Sequence, residues 1–296
     1  MSDNLNEFLD WYTARFQRAH GHPPATNTLT GKRHRLTAAY RASGATSWHL
    51  FATSLGSREG VEDLLDRLTV GVSLGTVSNT VSALVVYADY AKAKGLLVTP
   101  AVTKSDAPPR NQRAVRTYSP VELEALVSGA RGRGLAWWAF LVTLVDTGRR
   151  VSEVLNLQYT DLRLDDSPPF MDLRRTKNGK PLYAPLGKRL VSEVFTAANL
   201  AAIRTAPALR VTAKDVSSYI FPWSYASAHA RFSRYCRIMG IQPLGFHAIR
   251  HSFATRLLGK GVPIHAVSKL LGHSDITTTA RVYDHTDSLN YGNYLD

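Results

Sequence analysis

The stretch HAIRHSFAT, residues 247–255, sets two histidines four residues apart with an arginine between them. On a helix that spacing brings His247 and His251 to one face, the arrangement with which two histidines can hold zinc. The metalloprotease form of the pattern needs a glutamate general base directly after the first histidine, and Ala248 stands in that place. Arg250 also adds a permanent positive charge to the face of His247, which opposes a divalent cation. No metal is therefore expected. His247 and Arg250 suit an oxyanion instead, because the guanidinium donates a rigid fork of hydrogen bonds and the imidazole adds another donor. A phosphate is the natural guest, although histidine and arginine also share many ordinary solvated helix faces.

Three further segments carry residues of matching chemistry. DTGRRVSEVLNL puts Arg150 at a turn between two helices, where Gly148 lets the chain reverse and Ser152 and Glu153 begin the next helix. TKNGKPLYAPL sets Lys177 at the mouth of a hairpin whose turn is Asn178-Gly179, within reach of a cleft as a proton donor. LLGHSDITTTARVYDH stops a helix at Gly272, exposes His273, and restarts at Ser274 or Asp275 with Tyr283 about two turns along. Taken singly, each has a plainer reading as a surface arginine, a solubilising lysine or a helix end.

The elements that must position these residues are mostly helical. NLNEFLDWYTARFQRAH spaces Leu5, Phe8, Leu9, Tyr12 and Phe16 as one amphipathic helix. A polar, breaker-rich stretch from Pro23 to Gly31 leads into KRHRLTAAYRASG, where Lys32, Arg33, Arg35 and Arg41 cluster. VEDLLDRL and TVSNTVSALVVYADYAKAKG complete an all-helical first half. Residues 99–120 are proline-rich and basic with almost nothing to bury, which marks a linker. Its end is sharp: Ser119, Pro120 and Glu122 form a capping box with proline at the first helical position. After the apolar helix through Val145, the segments LRLD, FMDLRRT and PLYAPL alternate apolar and polar residues, as a small antiparallel sheet does. From Val191 onward the pattern is helical again, broken at Pro222, Pro243 to Gly245, Gly261 to Pro263, and Gly272.

Bulk properties narrow the partners. Lysine and arginine number 36 against 23 acidic residues, a net charge of +13 that favours nucleic acid or another anionic surface. The excess is uneven, +3 over residues 1–110 and +10 over residues 111–296. Cys236 is the single cysteine, so an intrachain disulfide and a four-thiolate zinc site are excluded, and a reducing cytoplasm fits. MSDNLNEFLDWYTARF lacks the apolar core of a secretory signal. The longest apolar run, LAWWAFLVTLV, falls well short of the roughly 20 residues needed to cross a bilayer, so no membrane is expected as a partner.

Taken together, the four segments resemble the tyrosine recombinase family, the phage-integrase-like site-specific DNA recombinases. The family pattern T-G-x-R-x-S-E is met by TGRRVSE, the β-hairpin lysine by TKNGK, H-x-x-R-H-x-F-A-T by HAIRHSFAT, and L-G-H followed ten residues later by tyrosine by LLGH and RVYDH. The likeness runs from about Ser119 to His285. It is weaker over the first half, where GTVSNTVSALVVYADYAKAKGLL looks like the last long helix of the family's core-binding domain. The resemblance implies a mainly α chain: a helical core-binding domain (1–104), a basic linker (105–118), a mostly helical catalytic domain with a small antiparallel sheet (119–285) and a tail (286–296), closing on DNA as a clamp. The first helix begins by about Asn4, which fits a minimal layout without an arm-binding domain.

By the same resemblance Tyr283 is the nucleophile, Arg150 and Arg250 bind the phosphate, Lys177 is the general acid, and His247 and His273 support them. Arg149 sits where the family usually has an uncharged residue, so the arginine is assigned by position to Arg150, with Arg149 as the alternative; Lys180 is likewise the alternative to Lys177. Tyr291 and Tyr294 lie at the wrong distance from Gly272 and His273. The chemistry is sound by itself: a tyrosine of pKa about 10 costs on the order of 4 kcal/mol to ionise at neutral pH, and two arginines with a histidine lower that cost while neutralising charge on the phosphoryl oxygens.

No nucleotide cofactor is needed, since one phosphate ester replaces another. Expected partners are double-stranded DNA bearing a specific recombination site and further copies of the chain. These would form a dimer on each site and a homo-tetramer in the synaptic complex, with an accessory DNA-bending protein or a partner recombinase also open. The tail is expected to dock on a neighbouring protomer. Candidate DNA contacts are Lys32, Arg33, Arg35, Arg110 and Arg113, and the expected location is the cytoplasm, with the nucleoid. A type IB topoisomerase and a catalytically inactive DNA-binding relative remain as alternatives.

Overall fold

The computed structural model describes residues 3–109, 116–173, 182–205, 218–221 and 223–272. Contacts divide the chain into two units, Met1–Arg113 and Ala114–Asp296, each with its own apolar core.

Among its described residues the first unit holds five α-helices: α1 (Asp3–His20), α2 (Thr26–Ser43), α3 (Trp48–Ser54), α4 (Arg58–Thr69) and α5 (Leu74–Ala93). Serines open three of them, since Ser47, Ser57 and Ser73 each accept a backbone N–H three residues on and satisfy a donor that the helix leaves orphaned. Leu5, Phe8 and Leu9 of the apolar stripe of α1 are buried as their spacing predicts, while Tyr12 and Phe16 are half-buried. Phe8 lies wholly inside, edge-on to Tyr87 and Tyr90 of α5 at 5.4 and 5.6 Å between ring centroids. One boundary differs from the sequence expectation. Helix α2 starts at Thr26, inside the stretch read as a polar lead-in, and runs through Gly31. Pro24 ends the preceding chain, and the space a Cβ on Gly31 would need is held by the Arg35 guanidinium, 3.2 Å away.

The second unit begins with the capping box. Glu122 N–H donates to Ser119 Oγ at 3.2 Å and Ser119 N–H donates to Glu122 Oε2 at 2.8 Å, opening α6 (Pro120–Ala130). Helix α7 (Leu135–Thr147) is the central element, its side chains buried from Trp137 to Val145. Short α8 (Val151–Leu155) follows, then three strands, β1 (Leu162–Arg163), β2 (Phe170–Leu173) and β3 (Leu182–Pro185), antiparallel in the order β1-β2-β3. Phe170 pairs with Pro185 and Leu173 with Leu182. The rest is helical: α9 (Ala197–Thr205), α10 (Tyr225–Ile238), α11 (Phe246–Leu258) and α12 (Ile264–Leu271).

Aromatic side chains from distant segments lock this unit around α7. Trp137 meets Trp223 at 5.6 Å, Phe140 meets Phe246 at 5.7 Å, and Phe232 stacks on Phe246 at 4.7 Å. Pairs of this kind add about 0.5–1.5 kcal/mol each beyond their burial. A second small cluster, Phe253 and Ala254 with Val267 and Leu271, seats α12 on α11. The mainly helical architecture with one small antiparallel sheet agrees with the sequence. No helix among the described residues is long and apolar enough to cross a membrane.

Candidate active site

The site is built on the turn that ends α7. Gly148 stops the helix in the left-handed region, φ +60°, and its N–H donates to Leu144 O at 3.0 Å. Glycine is required here twice over, for that φ and because a Cβ would lie 2.4 Å from Phe253 Cδ1. Two residues later Arg150 caps α8. Its carbonyl accepts from Glu153 N–H at 2.9 Å, its own N–H donates to Glu153 Oε2 at 3.1 Å, and its Nη1 donates to Glu153 Oε1 at 2.9 Å. Glu153 is 4% exposed and Arg150 23%. The carboxylate therefore fixes backbone and side chain of Arg150 together while leaving part of the guanidinium open to a ligand.

Arg250, on α11 and 5% exposed, meets the same turn from the other side. Its Nη1 donates to Gly148 O at 3.0 Å and its Nη2 to Leu271 O, at the end of α12, at 2.6 Å. One buried guanidinium thus ties the Arg150 turn to the helix end that immediately precedes Gly272, itself left-handed at φ +68°. The sequence places Arg150 and Arg250 a hundred residues apart, and the fold brings them to one turn.

His247 lies one turn before Arg250, exposed, its ring 6.3 Å from that of His251. Burial, helped by His247 and Arg250, pushes the His251 imidazole down to about 4, so this ring is neutral at physiological pH. The two histidines accordingly differ in character, one exposed and one half-buried. Among the described residues no group of three or more histidine, cysteine or acidic side chains could hold a metal ion.

Arg149 departs from its neighbours. It is 2% exposed, its Nε reaches only Thr147 O at 3.4 Å, and its Nη1 has no hydrogen-bond partner among the described residues. Burial pushes it down to about 10, Glu153 working in the opposite direction, so it stays protonated at neutral pH. It lines a cavity of about 290 Å³ together with Asp146, Arg256 and Lys260.

The remaining sequence candidates divide. Lys177, His273 and Tyr283 lie outside the described residues, as do Arg110, Arg113, Lys180, Tyr291 and Tyr294. In the first unit Lys32 stacks over Tyr12 at 4.4 Å with its ammonium pushed down by burial, and Arg33 Nη2 donates to Asn6 Oδ1 at 2.8 Å. Both basic side chains are thereby held by α1, and Arg35 lies half-buried against Gly31.

Of the supports of the site, sequence reading marks Glu153 as a structural partner, which its bonds to Arg150 bear out, and singles out no other. Arg189 pairs with Asp146 at the end of α7, its Nε donating to Oδ2 at 2.7 Å, and Ser252 Oγ accepts Tyr118 N–H at 2.8 Å. Neither has a local signature, because the partners are far apart in the chain.

Comparison with known proteins accords with this geometry. The model of the phage integrase family matches residues 120–289. A tyrosine recombinase XerD of Lacticaseibacillus casei is 30% identical over 71% of this chain and 72% of its own length. A XerD of Ralstonia nicotianae is 32% identical over 58% of the chain, and a XerA of Pyrococcus horikoshii 31% identical over 47%. The chain spans only about half of the latter two, 56% and 47% of their lengths. Among solved structures, the Tn1549 transposon integrase in complex with circular intermediate DNA superposes with a TM-score of 0.70 at 18% identity, covering 99% of each chain. A lambda integrase dimer bound to a core site gives 0.67 at 17% identity, covering 93% of this chain and 96% of that one. At such identities these two establish the fold. With the family model covering more than half of the sequence, the chain belongs to the phage integrase family, the tyrosine recombinases of site-specific DNA recombination.

Proposed function

We propose that the protein cuts and rejoins DNA at a specific site through a covalent 3′-phosphotyrosyl intermediate on Tyr283. The observation that carries this reading is the turn at Gly148, where Glu153 anchors Arg150 and the carbonyls of Gly148 and Leu271 anchor Arg250. Rigid, partly buried cations that need no reorganisation are what growing charge on phosphoryl oxygens requires. Arg150, not Arg149, is the phosphate ligand in this reading, because only Arg150 keeps an open edge.

In the reaction Tyr283 Oη loses its proton to solvent and attacks phosphorus, forming the new P–O bond. The bond from phosphorus to the 5′ oxygen breaks, and Lys177 supplies the proton that the leaving 5′ oxygen takes. His247 and His273 donate to the phosphate. The step is isoenergetic in bond type, so the 5′-hydroxyl of a partner strand can reverse it, and neither metal nor nucleotide is consumed. Residues 1–104 act as a core-binding domain with Lys32, Arg33, Arg35, Arg110 and Arg113 on phosphates, residues 105–118 as a linker and residues 119–285 as the catalytic domain. The protein works as a dimer on each site and a tetramer in the synapse, the tail of residues 286–296 docking on a neighbouring copy. It acts in the cytoplasm, on nucleoid DNA. Dimeric solved relatives on DNA support the first of these assemblies.

The test is covalent trapping in EDTA. Wild type and Tyr283→Phe are incubated with fragmented DNA of the source replicon and denatured in SDS, and the DNA retained on protein is sequenced. Adducts at a recurrent site from wild type alone are expected. Adducts from both proteins would move the nucleophile elsewhere, and tight binding without adducts from either would make the chain an inactive DNA-binding relative.

A further inference from the structure

The place of Arg149 in the wall behind the site is hard to account for by packing. An apolar side chain would fill it without electrostatic cost, whereas a buried guanidinium needs its hydrogens paired and its charge balanced. Arg149 has neither in full. Its one side-chain bond, to Thr147 O, is long at 3.4 Å, and Nη1 is unpaired among the described residues. The nearby carboxylates are committed elsewhere, Asp146 to Arg189 and Glu153 to Arg150. A break in local consistency of this kind, at the turn where both phosphate-binding candidates meet, is where function rather than folding is expected to set the residue.

The electrostatics of the turn supply a role. Glu153 fixes Arg150 by accepting from both its backbone and its guanidinium, but its negative charge cancels much of the field that Arg150 would present to a phosphate. Arg250 is anchored through the carbonyl of Gly148, the residue next to Arg149. Arg149, buried at this same turn, carries a positive charge that acts on Glu153 and offsets that carboxylate, so that less of the charge of Arg150 is cancelled. We infer that Arg149 is a positioning residue for strand cleavage, a buried cation that balances Glu153 so that Glu153 can orient Arg150 without neutralising it. Arg149 stays charged at neutral pH in spite of its burial, as that role demands.

This inference rests on the recombinase reading above, and the experiment separates the two. A nicked duplex carrying the site recovered by covalent trapping makes cleavage irreversible. On it, single-turnover cleavage at saturating protein, DNA affinity and thermal unfolding are measured for wild type, Arg149→Met and Arg149→Lys. Methionine keeps length and removes charge; lysine keeps charge. The expected result is cleavage about tenfold slower for Arg149→Met, the size of effect that a unit charge on the order of 10 Å away exerts at an effective dielectric of about 20. DNA affinity should fall by no more than the rate does, because the same field acts on the charge the bound phosphate already carries, and the melting temperature should be unchanged or higher. Arg149→Lys should recover most of the rate. Wild-type cleavage by Arg149→Met would overturn the inference, as would a slow Arg149→Lys, or a rate loss that tracks a lower melting temperature, since each marks a structural role. Failure of wild type to form an adduct would overturn the recombinase reading, and this inference with it.

Discussion

Substituting Gly148 by alanine perturbs the site at its most constrained point, and the structure gives the size of the effect. A non-glycine residue at φ +60° costs about 1–2 kcal/mol. The added Cβ would also lie 2.4, 2.7 and 3.0 Å from Cδ1, Cγ and Cβ of Phe253. Because the Cβ of Phe253 is itself among the clashing atoms, rotating the ring cannot relieve the contact. The ring is buried against Ala254, Val267 and Leu271, so the backbone must give, at the roughly 1–3 kcal/mol typical of overpacking. Gly240 supplies the control: its φ of +67° is nearly the same, but nothing lies within 4 Å of where its Cβ would be. Gly240→Ala should therefore carry the conformational cost alone. At roughly 2–4 °C per kcal/mol for a domain of this size, the combined cost of about 2–5 kcal/mol should lower the melting temperature of Gly148→Ala by about 4–20 °C, and the cost of about 1–2 kcal/mol that of Gly240→Ala by about 2–8 °C. Differential scanning calorimetry of the two variants beside wild type decides the matter. Equal losses would refute the packing argument, and an unchanged melting temperature for Gly240→Ala would refute the conformational one. Since Gly148 O holds Arg250, the variant should also cleave DNA more slowly at temperatures where it is still folded.

Two further substitutions test the supports of the same region. Ser252→Ala removes the acceptor of Tyr118 N–H and leaves that buried donor unpaired, which should cost about 1–3 kcal/mol in urea unfolding; an unchanged midpoint would mean that another acceptor takes over. His251 is held near 4 in the folded protein against an ordinary value of 6.5, so between these values the unfolded chain binds a proton that the folded chain refuses. Its contribution is fully present above pH 6.5 and is lost as the pH falls toward 4. Stability should consequently decline on acidification from pH 7 to 5, and His251→Gln should flatten that decline; an identical slope in both proteins would show that His251 is protonated without penalty.

What could be read in advance follows the range of the interactions involved. The Ser119 to Glu122 capping box, the buried stripe of α1 and the glycine stop at Gly272 are each written within a few residues, and each is found in the structure. Helix α2 shows where that logic fails: threonine, asparagine and glycine argue locally for a loop over residues 26–31, but burial of Leu36, Ala39 and Tyr40 extends the helix back through them. The candidate site divides in the same way. Its residue types were legible because the chemistry of phosphate restricts them to a few, and His247, Arg150 and Arg250 could be named from motif spacing. Glu153 could be named as a structural partner, but the supports of Arg250 could not, because a guanidinium bound to the carbonyls of Gly148 and Leu271 uses groups that every residue possesses. Arg149 belongs to neither class. Its side chain is conspicuous in the sequence as one of two adjacent arginines, but nothing local says which of the pair is buried. The answer comes from the turn itself: Gly148 reverses the chain, Arg150 is committed to Glu153 by the capping geometry, and the residue between them is left facing the interior. A charge in so costly a place is the reason to look for its effect in the cleavage rate rather than in stability.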